Sequence, residues 1–219
     1  MFRTLLRVFI TLALAAGGVI GTARADDVTT AILDVQHQWA HIHYQLPEKE
    51  QAAAYVQLEK HEDELLAQYP QRPEPMIWKA ITLSTHAGVK GGFSALSMVR
   101  QARDLLIQAE KIDPNAMDGS IYTSLGSLYY QVPGWPLGFG DDDKAKEFLH
   151  KALQINPNGI DPNYFYGDYL YEQGHYRDAL QALQKAMNAP DRPTRPVADQ
   201  GRRGEVRILM AKVKEKLSD

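Results

Sequence analysis

The chain has 219 residues, of which 44% are hydrophobic and 23% are charged, a composition typical of a folded protein with one buried core. Its formal net charge of -3 at pH 7 provides no basic field that would hold a polyphosphate backbone, so we expect no nucleic-acid partner. Because the sequence contains no cysteine, disulfides, thiolate metal sites, cysteine nucleophiles and lipid attachment through cysteine are excluded.

Residues 1–25 have the pattern of a cleaved secretory signal peptide. Two arginines precede the apolar run VFITLALAAGGVI, and the small-x-small triplet ARA ends at Ala25. The apolar run is shorter than the about 20 residues that comfortably span a bilayer. We therefore expect cleavage after Ala25, a periplasmic location, a single domain over residues 26–219 and no membrane insertion of the mature chain.

Two helices are predicted next, over residues 28–45 and 48–68, as a degenerate fourth helix pair. The first contains HQWAHIHY, which places His37 and His41 on one face at the spacing of helix-borne zinc ligands. An HExxH metalloprotease is excluded, because Gln38 stands where the general-base glutamate belongs. We expect these histidines to line a helix surface, with a plain metal site as the minor alternative, and we expect no cofactor.

The first clear helix pair is predicted over residues 76–114. Trp78 and Ile81 lie on its first helix, and Ala102, Leu106 and Ala109 recur at helical spacing on its second. The segment THAGVKGGFSALSM between them predicts a lengthened turn.

The next pair, over residues 118–157, has a turn about seven residues longer than a regular helix-turn-helix repeat allows. This turn contains GWPLGFGDDDKAKEF, whose three consecutive aspartates predict a capped helix start instead of an anion or calcium site. Trp135 and Phe139 lie in the same turn. We expect their rings to pack against neighbouring helices, with contact to a partner as the alternative.

The clearest pair covers residues 160–191. Asp161 is the predicted N-cap of its first helix, with Pro162 in the first turn, and Gly174 ends that helix. The second helix, HYRDALQALQKAM, has apolar residues at steps of three and four, and Pro190 closes the unit. A last helix over residues 198–217 is apolar along one side, and it predicts the polar-backed cap that a stack of repeats needs.

These units resemble the tetratricopeptide repeat (TPR), a helix-turn-helix of about 34 residues. The matching residues are Gly167 and Ala179 at the helix crossing, Gly174 and Tyr176 at the turn, and Ala186 near the end of the second helix. The resemblance implies an all-α, TPR-like solenoid of three to four helix pairs, with a C-terminal capping helix and long turns within repeats. It requires close contacts of Gly126 with Ala145 and of Gly167 with Ala179.

In the repeats that this chain resembles, certain first-helix positions face a concave groove and contact partners. The corresponding residues are Lys79, His86, Thr123, Ser127, Tyr130, Asp161, Tyr164, Asp168, Tyr171 and Glu172. The family members that grip a C-terminal carboxylate use a lysine, asparagine and arginine set, and Ser127 and Asp168 stand at its asparagine places, so that clamp is absent. We expect a tyrosine-rich groove that favours a neutral or cationic ligand.

No complete nucleophile, base and acid set is visible, which favours a non-enzymatic periplasmic adaptor that binds a protein, a peptide or a small ligand in its groove. The chain is also similar to periplasmic repeat proteins related to the T component of TRAP-type transporters. That resemblance implies a second hypothesis, a small-molecule-binding accessory subunit, although the transporter-linked members are anchored by a lipidated cysteine that this sequence lacks. A histidine-based metal-binding protein is the third hypothesis.

Overall fold

The computed structural model describes residues 20–218, with side chains from Asp27 onwards. The predicted signal peptide lies for the most part outside the described residues, and residues 20–25 belong to the first helix. This part of the chain forms nine α-helices and no extended strand: α1 (Ile20–Gln45), α2 (Glu48–Gln68), α3 (Pro73–Lys90), α4 (Gly92–Ile112), α5 (Ser120–Gln131), α6 (Asp142–Ile155), α7 (Ile160–Glu172), α8 (Tyr176–Met187) and α9 (Pro196–Ser218). A short 3-10 segment, Ala116–Gly119, precedes α5.

The helix ends follow local sequence signals. Asp141 is the N-cap of α6, and its carboxylate accepts a hydrogen bond of 3.0 Å from the backbone N–H of Lys144, as the aspartate cluster predicts. Gly174, with a φ of 75°, terminates the α7 region. The prediction that Asp161 caps α7 is wrong: the N-cap is Gly159, and Asp161 lies inside the helix, where its side chain binds arginines.

Three helix pairs, α3–α4, α5–α6 and α7–α8, stack so that the first helices of successive pairs also touch. One continuous apolar core runs through them, from Met76 in α3 to Val213 in α9. This arrangement is the predicted helical solenoid, and each pair buries its apolar face only because a neighbouring pair covers it.

Two glycines let the helices of a pair approach closely. A Cβ atom on Gly167 would lie 2.8 Å from Leu183 Cγ and 3.4 Å from the carbonyl oxygen of Ala179, so the predicted contact of Gly167 with Ala179 is present. A Cβ atom on Gly126 would lie 2.6 Å from Leu149 Cγ. Gly126 therefore packs closest to Leu149, which follows the predicted Ala145 by one helical turn.

The two predicted long turns differ in the structure. The segment THAGVKGGFSALSM is helical except for a break at Gly91, whose φ is 63°, so the extra residues lengthen α3 and α4 and the predicted turn is wrong. Between α5 and α6, residues 132–141 do form a loop. There Gly140 donates to the carbonyl of Pro133 at 3.0 Å, and a Cβ atom on Gly140 would overlap the carbonyl oxygen of Val132.

The first and last helices close the solenoid against each other. Helix α9 packs on α8 through Val206, Leu209 and Val213, as expected for a cap, but it also contacts α1 and α7. Helix α1 packs on α2, α3 and α9, and together with α2 it forms a second apolar cluster. None of the helices described here is long and apolar enough to cross a bilayer.

Candidate functional site

The concave side of the stack contains a cavity of about 1140 Å³. Its walls are α3, α5 and α7, the first helices of the three pairs, and it is bounded by α1 and by the segment from Pro190 into α9. The groove of an open solenoid is here partly closed by the contact between the first and last helices. Gly201 of α9 allows this contact, because a Cβ atom at that position would overlap the ring of Tyr44 in α1.

The α3 and α5 walls present hydroxyl groups whose protons are already engaged. Thr123 Oγ1 donates to the carbonyl of Gly119 at 3.1 Å, and Ser127 Oγ donates to that of Ser124 at 3.0 Å. Thr85 Oγ1 donates to the carbonyl of Ile81 at 2.9 Å and accepts from Trp39 Nε1 at 3.1 Å. These hydroxyls form a mildly polar wall, but their donors are not free for a ligand.

Aromatic rings from α1 and α3 form a second wall. Trp39 lies at the centre: its ring centroid is 4.9 Å from that of His43, 5.7 Å from that of Tyr44 and 6.1 Å from that of Trp78. The rings pack in stacked and edge-on orientations, which are the favourable ones. They provide a rigid apolar surface inside an otherwise polar cavity.

A charged network joins α7, α9 and α1 at the C-terminal end of the cavity. Asp161 accepts hydrogen bonds from Arg192 Nη1 at 2.7 Å and from Arg202 Nε at 2.9 Å. Arg202 also pairs with Glu205, whose carboxylate lies 3.3 Å from His43 Nε2. Burial alone would raise the pKa of Asp161, but the charges of Arg202 and Arg192 outweigh it and hold the pKa well below its ordinary value.

Sequence reasoning found one member of this network, Asp161, and missed its partners. Arg192 lies in the short DRPTRP connection and Arg202 on α9, and neither belongs to a repeat pattern. Only the path of the chain after α8 brings them to α7. The negative charge of Asp161 at this end of the groove is therefore neutralised.

Four of the predicted groove residues line the cavity: Thr123, Ser127, Asp161 and Tyr164. Tyr130 and Asp168 do not line it, and instead they bind each other across α5 and α7, with the Tyr130 hydroxyl donating to Asp168 Oδ2 at 2.6 Å. Two further predicted residues lie at the end of α7, outside the cavity. Tyr171 packs against the ring of Tyr176 at 5.7 Å, and Glu172 is exposed to solvent.

Lys79 and His86 lie outside the groove, in contrast to the prediction. Lys79 Nζ donates to the carbonyl of Glu59 at 2.6 Å, and His86 Nδ1 is 2.6 Å from the Glu59 carboxylate, so both are buried between α2 and α3. The reason is that α2 covers this face of α3. The α3 residues that do face the cavity include Trp78 and Thr85.

The candidate metal ligands and the two loop aromatics each have different neighbours. His37 Nε2 lies 2.6 Å from the carbonyl oxygen of Thr194, while His41 Nδ1 lies 2.8 Å from Gln45 Oε1. No group of three or more potential metal ligands occurs among the described residues. In the α5–α6 loop, Trp135 is 89% exposed, contrary to the expected burial, whereas Phe139 packs on Tyr129 with ring centroids 5.3 Å apart.

Comparison with known proteins agrees with this architecture. Residues 137–194 match the family described as Tetratricopeptide repeat. The crystal structure of TTC0263, a thermophilic TPR protein in Thermus thermophilus, is similar with a TM-score of 0.55 and 15% sequence identity, over 87% of this chain and 94% of that one. The search of curated proteins found no significant match. The predicted all-α, TPR-like solenoid is thus confirmed.

Proposed function

We propose that this protein is a non-enzymatic periplasmic scaffold that binds a ligand in the cavity enclosed by α1, α3, α5, α7 and α9. The observation that carries the proposal is the contact of α1 with α9, which converts an open groove into a cavity of about 1140 Å³. Cavities that hold small molecules are typically about 300–1,000 Å³. The space therefore suits a small molecule, or a short peptide segment inserted from a partner.

The side chains of the cavity walls are suited to ligand binding and not to catalysis. The Thr123 and Ser127 hydroxyls donate to backbone carbonyls, and Asp161 is held ionised between two arginines, so none of these three supplies an activated nucleophile or a general acid. Aromatic rings and fixed charges are what a binding site needs to orient a ligand. We therefore favour a binding role for the cavity.

Native mass spectrometry of freshly purified protein tests this proposal. Ser127→Trp would place an indole in the cavity, whereas Ser97→Trp places the same group on an exposed part of α4. We expect a reproducible co-purified small mass on the wild-type protein and on Ser97→Trp, and its loss from Ser127→Trp. Equal retention by both variants would show that the mass is bound elsewhere.

A protein partner is a second candidate, favoured by the α5–α6 loop. Trp135 is 89% exposed and Leu137 is 61% exposed, while Arg100 Nη2 donates to the Leu137 carbonyl at 3.1 Å and fixes the loop against α4. Exposed aromatic anchors on a held loop are frequent in protein interfaces. Crosslinking in intact cells should recover a partner with the wild-type chain and not with Trp135→Ser, while Val56→Ser on α2 serves as the control.

The periplasmic location and a relation to transport remain proposals of their own. Secreted protein should begin at Asp26 on N-terminal sequencing, and material that still begins at Met1 would contradict export with cleavage. An enclosed ligand would suit an accessory subunit of a TRAP-type transporter. Recovery of a membrane permease in the crosslinking experiment would support that role, and recovery of soluble proteins alone would favour an adaptor.

A further inference from the structure

Three residues that line the cavity carry hydrogen-bonding groups that have no partner within the described part of the protein. They are the Tyr44 hydroxyl, the indole Nε1 of Trp78 and the guanidinium Nε of Arg195. Each atom is shielded from solvent, and buried polar groups are otherwise almost always paired. All three can donate a hydrogen bond, so this side of the cavity lacks acceptors.

The three residues form a continuous strip. Arg195 Cζ lies 5.1 Å from the ring centroid of Trp78, whose ring contacts Trp39, and Trp39 in turn contacts Tyr44. The unpaired groups are therefore parts of one wall, built from α1, α3 and the residue that precedes α9.

Arg195 differs from the other two arginines at the cavity. Arg192 and Arg202 both bind Asp161, whereas Arg195 forms no ion pair with any carboxylate whose side chain the structure describes. Burial lowers the pKa of Arg195, and the nearby charge of Arg192 lowers it further, yet a guanidinium stays protonated at neutral pH. Asp161 and Asp199 attract this charge from a distance, but neither forms an ion pair with it, and the Arg195 guanidinium thus lies beside two neutral donors without a direct anionic partner.

We propose that the cavity binds a small organic anion, whose carboxylate or phosphate group accepts hydrogen bonds from Arg195 and from the neighbouring donors of Trp78 and Tyr44. The planar guanidinium matches the geometry of both oxyanions. The apolar part of the molecule packs against the ring of Trp39. This inference rests on the proposed function of the cavity, and it reverses the expectation of a neutral or cationic ligand, since a cation would meet an unpaired arginine.

Three probes that share a phenyl ring test the proposal: benzoate, phenyl phosphate and the neutral benzyl alcohol. Their affinities for the full mature chain are measured by ligand-detected NMR titration, with Arg195→Gln as the test variant and Arg207→Gln, an exposed arginine on α9, as the control. Arg195→Gln breaks no ion pair but removes the contact with Trp78, so the melting temperatures of the three proteins are compared and binding is measured well below the lowest of them. A change in binding would then not reflect unfolding.

We expect the wild-type protein and Arg207→Gln to bind at least one of the two anions about tenfold more tightly than benzyl alcohol, and Arg195→Gln to lose that preference. A preference for benzoate alone identifies a carboxylate ligand, and one for phenyl phosphate alone identifies a phosphate. The proposal is overturned if the wild-type protein does not prefer either anion, or if Arg195→Gln keeps the preference. If benzyl alcohol still binds in either case, the cavity is a ligand site without a preference for anions set by Arg195. The proposed function is tested independently, by the mass spectrometry described above.

Discussion

The repeat stack and the helices that close it are held together in different ways. Within the stack, the α7–α8 crossing is apolar and tight, with Gly167 against Leu183. The first, second and last helices also pack apolar side chains on the stack, but they add buried polar contacts: Glu62 of α2 accepts from Thr82 of α3 at 2.7 Å, and Asp161 of α7 binds Arg202 of α9 at 2.9 Å. The crossing within a repeat therefore depends on close apolar packing, whereas the helices that create the cavity depend on specific hydrogen bonds and ion pairs as well as on apolar contacts.

This difference has an energetic consequence. The stability of an apolar crossing does not depend on pH but does depend on the volume of its side chains, because separating close-packed atoms costs free energy. A polar contact fails when one partner is removed, because the other is left buried without compensation. Substitutions in the two regions should therefore have separable signatures.

The largest effect on stability is expected at the ion pairs between α7 and the residues in and before α9. Asp161→Asn removes the charge that compensates Arg192 and Arg202, and we expect the free energy of unfolding to fall by about 3 kcal/mol at pH 7. Because the pKa of Asp161 is held below its ordinary value, this contribution is present at neutral pH and is lost progressively as the pH falls from the ordinary value of an aspartate to that lowered value. Urea unfolding followed by circular dichroism measures the difference.

Asp178→Asn is the matched control for that substitution, since Asp178 is exposed on α8. We expect it to change the free energy of unfolding by less than about 0.5 kcal/mol. If the two variants have equal free energies of unfolding, the network around Asp161 contributes little to stability. The position of α9 would then depend on the contact of Tyr44 with Gly201 instead.

The second prediction concerns the apolar crossing. Gly167→Ala would place its Cβ atom 2.8 Å from Leu183 Cγ, so we expect the free energy of unfolding to fall by about 2 kcal/mol, with no dependence on pH. Gly88→Ala is the control, because a Cβ atom at that helical position meets nothing within 4 Å. It should raise stability by about 0.5–1 kcal/mol through helix propensity. Stabilisation by both alanines would refute a tight crossing.

The same difference explains which features the sequence could predict. Small residues at regular spacing, such as Gly167 with Ala179, are local signals, and they predicted the helix pairs and the fold. The placement of Lys79 and His86 could not be predicted from spacing, because it depends on how α2 lies across α3. The arginines at the cavity were missed for a similar reason: Arg195 precedes α9 in an irregular connection, and only the fold of the whole chain brings it to Trp78.

The last prediction concerns the α2–α3 contact, where burial raises the pKa of Glu62 from an ordinary 4.5 to about 8, against the opposing hydrogen bond from Thr82. Between these values the unfolded chain loses the proton while the folded chain keeps it. The free energy of unfolding should therefore decrease as the pH rises from 4.5 to 8, by up to about 1.4 kcal/mol per pH unit.

Glu62→Gln removes this titration and keeps the shape of the protonated side chain, whose Oε2 has no partner among the described residues. We expect the stability of the variant relative to wild type to be greater at pH 8 than at pH 5 by at least about 1 kcal/mol, as measured by urea unfolding at both pH values. Glu64→Gln, at an exposed position on the same helix, should follow the wild-type dependence at both. Parallel pH dependences for wild type and Glu62→Gln would mean that Glu62 is ionised in the folded protein, and that the α2–α3 contact is held by a charge, like the contact of α7 with α9.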